Sequence, residues 1–236
     1  MKKVLIYATA VSLLLSLLPA LVFAQGTGPK AALHVKAHAI KAVNICPSGP
    51  APEDPLTMAI DCADYVTSWP TGAAADIYLC VVANTEAIPS GISGLECGIG
   101  FDPAISMSAW TLCSDLEFHN DQWPNSGGKN RMTWALPGSC QNTSVGDNYV
   151  AITGSFYVYP YAPGGTFFLT NWSGSGNLKF NMTNCAGPQE IALDDSQARI
   201  EFSDVGDEGC NPCVESCGTV PTRSVTWGEI KSSYEE

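Results

Sequence analysis

NYVAITGSFYVYPY, residues 148–161, is the stretch whose reading decides the fold. Taken with a period of two, it sets Val150, Ile152, Phe156 and Val158 on one face, and Tyr149, Tyr157, Tyr159 and Tyr161 on the other. Successive side chains of a strand point to opposite sides of a sheet, so this alternation specifies a strand with one face against a core. The β-branched and aromatic residues that fill the run favour the same extended backbone.

Working outward, the same signal recurs along the chain. AALHVKAHAIKAV (31–43) alternates Leu33, Val35, Ala37 and Ala39 against His34, Lys36 and His38. AADIYLCVVAN (74–84) is a short apolar run suited to a buried strand, and ISGLECGIGFDP (92–103) places Leu95, Cys97, Ile99 and Phe101 on one face. AWTLCSDLEF (109–118), RMTWALP (131–137), GTFFLTNW (165–172), NLKFNMTN (177–184) and ARIEFSD (198–204) extend the set. PNSGG, APGG and SGSG mark turns between them. About eight to ten strands with almost no helical period imply an all-β, two-layer sandwich, Ig/cohesin-like or jelly-roll in arrangement. No internal repeat is seen.

The chain opens MKK and runs through VLIYATAVSLLLSLLPALVFA to Gln25. Lys2 and Lys3 form a charged start, Val4 to Leu18 an apolar centre, and Val22 and Ala24 the small residues of a cleavage site. This is the pattern of a secretory leader cut after Ala24; an uncleaved anchor is the competing reading of so long an apolar run. The residue directly after the site is Gln25 and not a cysteine, which leaves a lipoprotein anchor without support. The expected organisation is therefore a signal peptide over 1–24, a linker over 25–30, a sandwich domain over 31–213, a linker over 214–225 and a short helix or tag over 226–236. The mature protein is expected outside the cell or in its envelope, with no membrane span. Net charge is −12, and losing Lys2 and Lys3 makes it about −14. So acidic a chain lacks the basic footprint of a nucleic-acid binder.

All ten cysteines, Cys46, Cys62, Cys80, Cys97, Cys113, Cys140, Cys185, Cys210, Cys213 and Cys217, follow the leader. An even count in an exported chain predicts disulfides. Connectivity does not follow from spacing, although it favours local pairs such as Cys46–Cys62 and Cys113–Cys140. GCNPCVESC (209–217) carries a single C-x-x-C, whereas a structural zinc site needs four ligands, and His34, His38 and His119 all lie far upstream. A redox C-x-x-C opens a helix, whereas CNPC reads as a turn. Covalent fastening is the expected role, with at least one of Cys210, Cys213 and Cys217 reaching back into the domain.

The pair DIYLCVV (76–82) and ISGLECGIGFDP (92–103) resembles the opening of cohesin-like and related carbohydrate-binding-module sandwiches, which join such a strand to a G-x-x-x-x-I-x-F-D-P strand and turn. The resemblance spans residues 76–103. It implies an aligned β-sandwich engaged in recognition rather than catalysis, and carries over no binding residue. At the other end, TWGEIKSSYEE (226–236) sets Thr226 and Glu229 at capping-box spacing, with Trp227, Ile230 and Tyr234 on one helical face. It resembles the W-G-x-[IV]-K-like ending of some secreted bacterial proteins, which implies a sorting or attachment tag; a docked capping helix is the plainer reading.

No G-x-S-x-G or H-E-x-x-H is present, so no catalytic residue, cofactor or metal is assigned. SDLEFHND sets Asp115, Glu117, His119 and Asp121 at alternate positions, read as the solvated side of a strand whose Leu112, Leu116 and Phe118 face the core. Asp204, Asp207 and Glu208 offer oxygen ligands for calcium without EF-hand spacing. The binding candidates are Tyr157, Tyr159 and Tyr161, as an aromatic platform, and Trp123 and Trp172, as indoles in polar loops. The expected function is an exported, non-catalytic recognition or cell-surface module, taking a glycan or surface protein on an aromatic strand face. A purely structural envelope protein and an extracellular hydrolase are the alternatives.

Overall fold

A computed structural model describes residues 28–38, 46, 61–172, 181–193, 198–204 and 209–218. Among these residues, alternating and apolar runs separated by Gly, Pro and Asn turns give thirteen strands. They are β1 (Lys30–Ala37), β2 (Ser68–Trp69), β3 (Ala75–Asn84), β4 (Ile92–Phe101), β5 (Ile105–Leu112), β6 (Leu116–His119) and β7 (Lys129–Thr133). After these come β8 (Ser144–Val145), β9 (Asn148–Pro160), β10 (Gly165–Thr170), β11 (Asn181–Asn184), β12 (Gly187–Ala192) and β13 (Arg199–Phe202). One 3-10 turn, Cys62–Asp64, is capped by the Asp61 carboxylate, which accepts from the Ala63 N–H at 3.0 Å. The expected leader over 1–24 and the C-terminal TWGEIKSSYEE, with its expected helix, lie outside the described residues.

The first sheet has five strands in the order β1-β3-β9-β5, with β8 on β9. The second has eight, β12-β11-β4-β10-β13-β2, with β7 on the other side of β4 and β6 beyond it. Pairing is antiparallel except between β13 and β2. The inner faces meet in one core. Leu33, Ile77, Leu79 and Phe156 come from the first sheet, and Leu95, Ile99, Phe167 and Phe202 from the second. All eight are fully buried. At about 25 cal/mol per Å² of apolar surface, this contact is the main source of stability.

The decisive stretch, 148–161, is a strand as expected, but its alternation is interrupted. Leu79 pairs with Gly154 and Cys80 with Ile152, so Thr153 is an extra residue in β9. Such a bulge moves every side chain beyond it to the opposite face. Phe156 and Val158 point into the inter-sheet core with Ala151, whereas Val150 and Ile152 turn to the outer side. The expected single face is therefore corrected to two. Thr153 is held from both neighbours: its hydroxyl donates to the Leu79 carbonyl at 3.0 Å, and its carbonyl accepts from Cys113 N–H at 2.8 Å.

A second, smaller core explains how Val150 and Ile152 are tolerated outside. Ala32, Tyr78, Cys80, Val82 and Ile152 on the outer face of the first sheet pack under Cys62 and Tyr65. Four disulfides fasten the chain: Cys46–Cys113, Cys62–Cys213, Cys140–Cys185 and Cys210–Cys217. Cys213 does reach back to the body of the domain. The local pairs Cys46–Cys62 and Cys113–Cys140 do not form. Nor are all ten cysteines bonded, for Cys80 and Cys97 are buried thiols. Cys97 lies in the inter-sheet core and Cys80 in the outer one, so the two cannot meet.

Candidate functional site

The outer face of the second sheet is built on a strand almost without side chains. Along β4, Gly94, Gly98 and Gly100 alternate with inward Leu95, Cys97 and Ile99. A Cβ at Gly98 would lie 2.4 Å from Thr170 Oγ1, and one at Gly100 would lie 2.5 Å from the Phe168 ring. Neighbouring side chains therefore lie across the strand. Glu96 is the one large outward group of that run. It is buried and ion-paired with Arg131 of β7, whose guanidinium lies 5.9 Å from the Trp172 ring centre. This is a cation–π arrangement.

The adjoining edge reverses the expected polarity of SDLEFHND. Leu116 and Phe118 are 47% and 60% exposed, and they lie opposite Thr133 and Arg131 of β7 on the outer face. Glu117 instead turns inward, accepting from Trp110 Nε1 at 2.9 Å and from Asn130 Nδ2 at 2.6 Å. Hydrogen bonds from two donors compensate the partial burial of a carboxylate. Asp115 accepts from the Leu136 N–H at 3.0 Å. The Ser139 hydroxyl, with the Leu136 and Ala135 N–H groups, holds its carboxyl below the usual range. That contact sets Leu136, 62% exposed, beside the start of β6. Next to it a cleft of about 470 Å³ is lined by Ser93, Thr133, Trp134, Thr183 and the Cys140–Cys185 bridge. The acidic row therefore has separate local tasks and does not converge on one point.

The aromatic candidates separate into different environments. Tyr157 is half-buried and stacked on His38 with ring centres 4.0 Å apart. His38 Nδ1 is 2.9 Å from the carboxylate of buried Asp76. Tyr159 donates to the Gly72 carbonyl at 2.8 Å, and Tyr161, 69% exposed, tilts against it at 4.8 Å between centres. These three make a stepped corner rather than a flat row, and the bulge puts Tyr149 on the core side of the sheet. Trp123 corrects the expectation of an exposed loop indole. It is 6% exposed and packs against Trp110 and Phe156 at 5.0 and 5.3 Å. Trp172 is half-buried beneath Arg131.

His34 is buried where its strand faces the segment 61–67. Its Nδ1 accepts from the Val66 N–H at 2.9 Å, and its ring lies 5.3 Å from Tyr65 and 6.5 Å from Tyr78. Burial, with a smaller contribution from the Lys36 charge, lowers its pKa to about 4. Asp204 is occupied by Thr71, accepting from its N–H at 3.0 Å and its hydroxyl at 2.6 Å. Those bonds, from the hydroxyl first, hold its carboxyl below the usual range. Asp207 and Glu208 lie outside the described residues, and among these no cluster of three metal-ligating side chains occurs.

The residues missed from the sequence are thus Leu116, Phe118, Leu136 and Arg131. Hydropathy alone assigns the first two inward, and only the pairing of Glu117 with Trp110 and Asn130 reverses them.

No family model matches the chain, and no curated protein does. Among solved structures, it is similar to a cohesin module of a family 33 glycoside hydrolase from Clostridium perfringens. The identity is 10% and the TM-score 0.42, with 75% of this chain and 98% of that one covered. It is similar to a type III cohesin of the ScaE cell-surface anchoring scaffoldin of Ruminococcus flavefaciens, at 11% identity and TM-score 0.36, covering 77% and 91%. A third similar structure is the third ScaB cohesin of R. flavefaciens, solved in complex with a group 1 dockerin. Here the identity is 11% and the TM-score 0.26, with coverage of 60% and 80%.

Proposed function

We propose that this chain is an exported, non-catalytic recognition module that docks a partner protein on the outer face of its second sheet. One observation carries the reading: Leu116, Phe118 and Leu136 stand exposed together beside Arg131, while the outer apolar face of the first sheet is covered. Contiguous exposed apolar side chains rimmed by polar groups mark protein contact surfaces, and an aromatic beside an arginine is the usual composition of an energetic anchor. Four disulfides fit an oxidising compartment. Glu117 and Asp115 are engaged in holding Trp110, Asn130 and Leu136, which favours a binding module over a hydrolase.

The test is a photo-crosslinking residue at position 118, with position 214 as an exposed control, in protein exposed to the producing cell's surface fraction. A single adduct at 118, absent at 214 and lost in Leu116→Ser/Leu136→Ser, is expected. It should be followed by at least tenfold weaker binding of the purified partner. Equal adducts at both positions, or none, would refute the reading.

A second reading places a saccharide on the Tyr157–Tyr159–Tyr161 corner, favoured by the exposed Tyr161 ring. Glycan-array binding lost in Tyr161→Ala, with position 118 silent, would select it.

A further inference from the structure

The segments 61–67 and 209–218 lie outside both sheets and are tied to one another. Cys62 bonds to Cys213, Asn211 Nδ2 donates to the Cys62 carbonyl at 2.7 Å, and Asn211 Oδ1 accepts from Cys213 N–H at 2.9 Å. The pair forms a strap. Among the described residues, the bonds that hold it to the sandwich include the Val66 N–H on His34, the Val35 N–H on the Val66 carbonyl at 3.0 Å, and the contacts of Thr67 and Cys210 with β13. Tyr65 is its plug, packing with Ala32, Tyr78, Val82 and Ile152 and facing the Cys80 thiol.

Two features separate the strap from the rest of the fold. No residue of 61–67 or 209–218, and none of the bridged cysteines, belongs to the inter-sheet core. The two free thiols are divided, with Cys80 under the strap and Cys97 between the sheets. Cys213 is half-buried where Cys62 is 2% exposed, and Val214, Glu215 and Ser216 beside it are exposed, so Cys213 is the more accessible residue of the bridge.

We infer that the strap is a redox-operated cover: a dithiol reductant opens Cys62–Cys213, lifts Tyr65 from the outer face of the first sheet and makes Cys80 accessible, while the sandwich stays folded. This inference is independent of where a partner docks. The reagent thiolate attacks Cys213 Sγ and forms a mixed disulfide, and the S–S bond breaks with its electron pair leaving on Cys62, which takes a proton from water. The reagent's second thiolate then attacks its own sulfur in the mixed disulfide, closing a cyclic disulfide and releasing Cys213 as thiolate. Two electrons pass from the dithiol to the bridge. Burial raises the Cys80 pKa to about 12, so the covered thiol is inert and becomes nucleophilic only on exposure.

The test titrates the full-length protein with dithiothreitol at neutral pH, labels with N-ethylmaleimide and maps modified cysteines by peptide mass spectrometry. Cys80 is expected to label together with Cys62 and Cys213, and at least tenfold faster than Cys97, with the far-UV circular dichroism unchanged. The double variant Cys62→Ser/Cys213→Ser should label at Cys80 without reductant, and Tyr65→Ala in that background should label faster still. Labelling of Cys80 and Cys97 at one rate would mean global unfolding and would overturn the inference. So would a Cys80 that stays protected after Cys62 and Cys213 are both modified. If the double variant does not fold, the titration of the unaltered chain decides alone.

Discussion

Replacing His34 with asparagine tests the buried latch between β1 and the strap. An asparagine Oδ1 can take the position of Nδ1 and accept from Val66 N–H, now 2.9 Å from the imidazole, but it cannot titrate. In the folded protein burial and Lys36 lower the His34 pKa from 6.5 to about 4. The unfolded chain therefore binds this proton first as pH falls, and the folded state loses stability through the window between 6.5 and 4. At about 1.36 kcal/mol per pKa unit, the loss reaches about 2 kcal/mol by pH 5 and about 3 kcal/mol by pH 4. Above pH 6.5 the stabilisation is fully present. Urea unfolding of both proteins at pH 7.5, 6, 5 and 4 reads the difference. Every other ionisable group is common to the two proteins, so its contribution cancels in the difference. The stability of the unaltered chain relative to His34→Asn should fall by about 3 kcal/mol from pH 7.5 to pH 4. A difference constant to within about 0.5 kcal/mol would show that His34 takes its proton without leaving its site, and would refute the latch.

Two further outcomes separate core from surface. Trp123→Ala should lower stability by about 3–5 kcal/mol in urea, since it empties a site against Trp110 and Phe156, whereas Trp172→Ala should cost less than about 1 kcal/mol. Gly154→Ala should destabilise by about 1–3 kcal/mol and shift tryptophan fluorescence, because a Cβ there would lie 2.1 Å from the Trp110 ring; an unchanged midpoint would show that Trp110 has room to move.

What was legible in the sequence depended on whether the two faces of a strand differ. In β1, β3 and β4 the runs are apolar enough to mark strands, and the sandwich follows from their number. In β9 both faces are covered near Thr153, one by the other sheet and one by the strap, so polarity carries no record of the bulge. The parity of ten cysteines misled because Cys80 and Cys97 are there as small buried groups on β3 and β4. A thiol packs as a small hydrophobe, and nothing in its letter separates that role from a bridge. The strap partners Cys62 and Cys213 are 151 residues apart. The pairing of Cys210 with Arg199 of β13 brings the later segment beside the earlier one.

The inverted strand β6 and the strap bear on the same question, which is where the sandwich leaves apolar surface open. Among the described residues Leu116–His119 is bonded to β7 alone, and an edge strand with exposed apolar side chains is a hazard that folds usually blunt with charge or cover. Here the available charge, Glu117, is turned inward, and the cover is spent on the opposite sheet. Folding Leu116 and Phe118 inward would strip Trp110 Nε1 and Asn130 Nδ2 of their shared acceptor, so the inversion has a local cause as well. That local cause does not account for Leu136, which follows β7 and stands exposed next to the same strand through its bond to Asp115. Two independent segments thus deliver apolar side chains to one edge, and it is this convergence, more than any single exposed residue, that supports the proposed docking face.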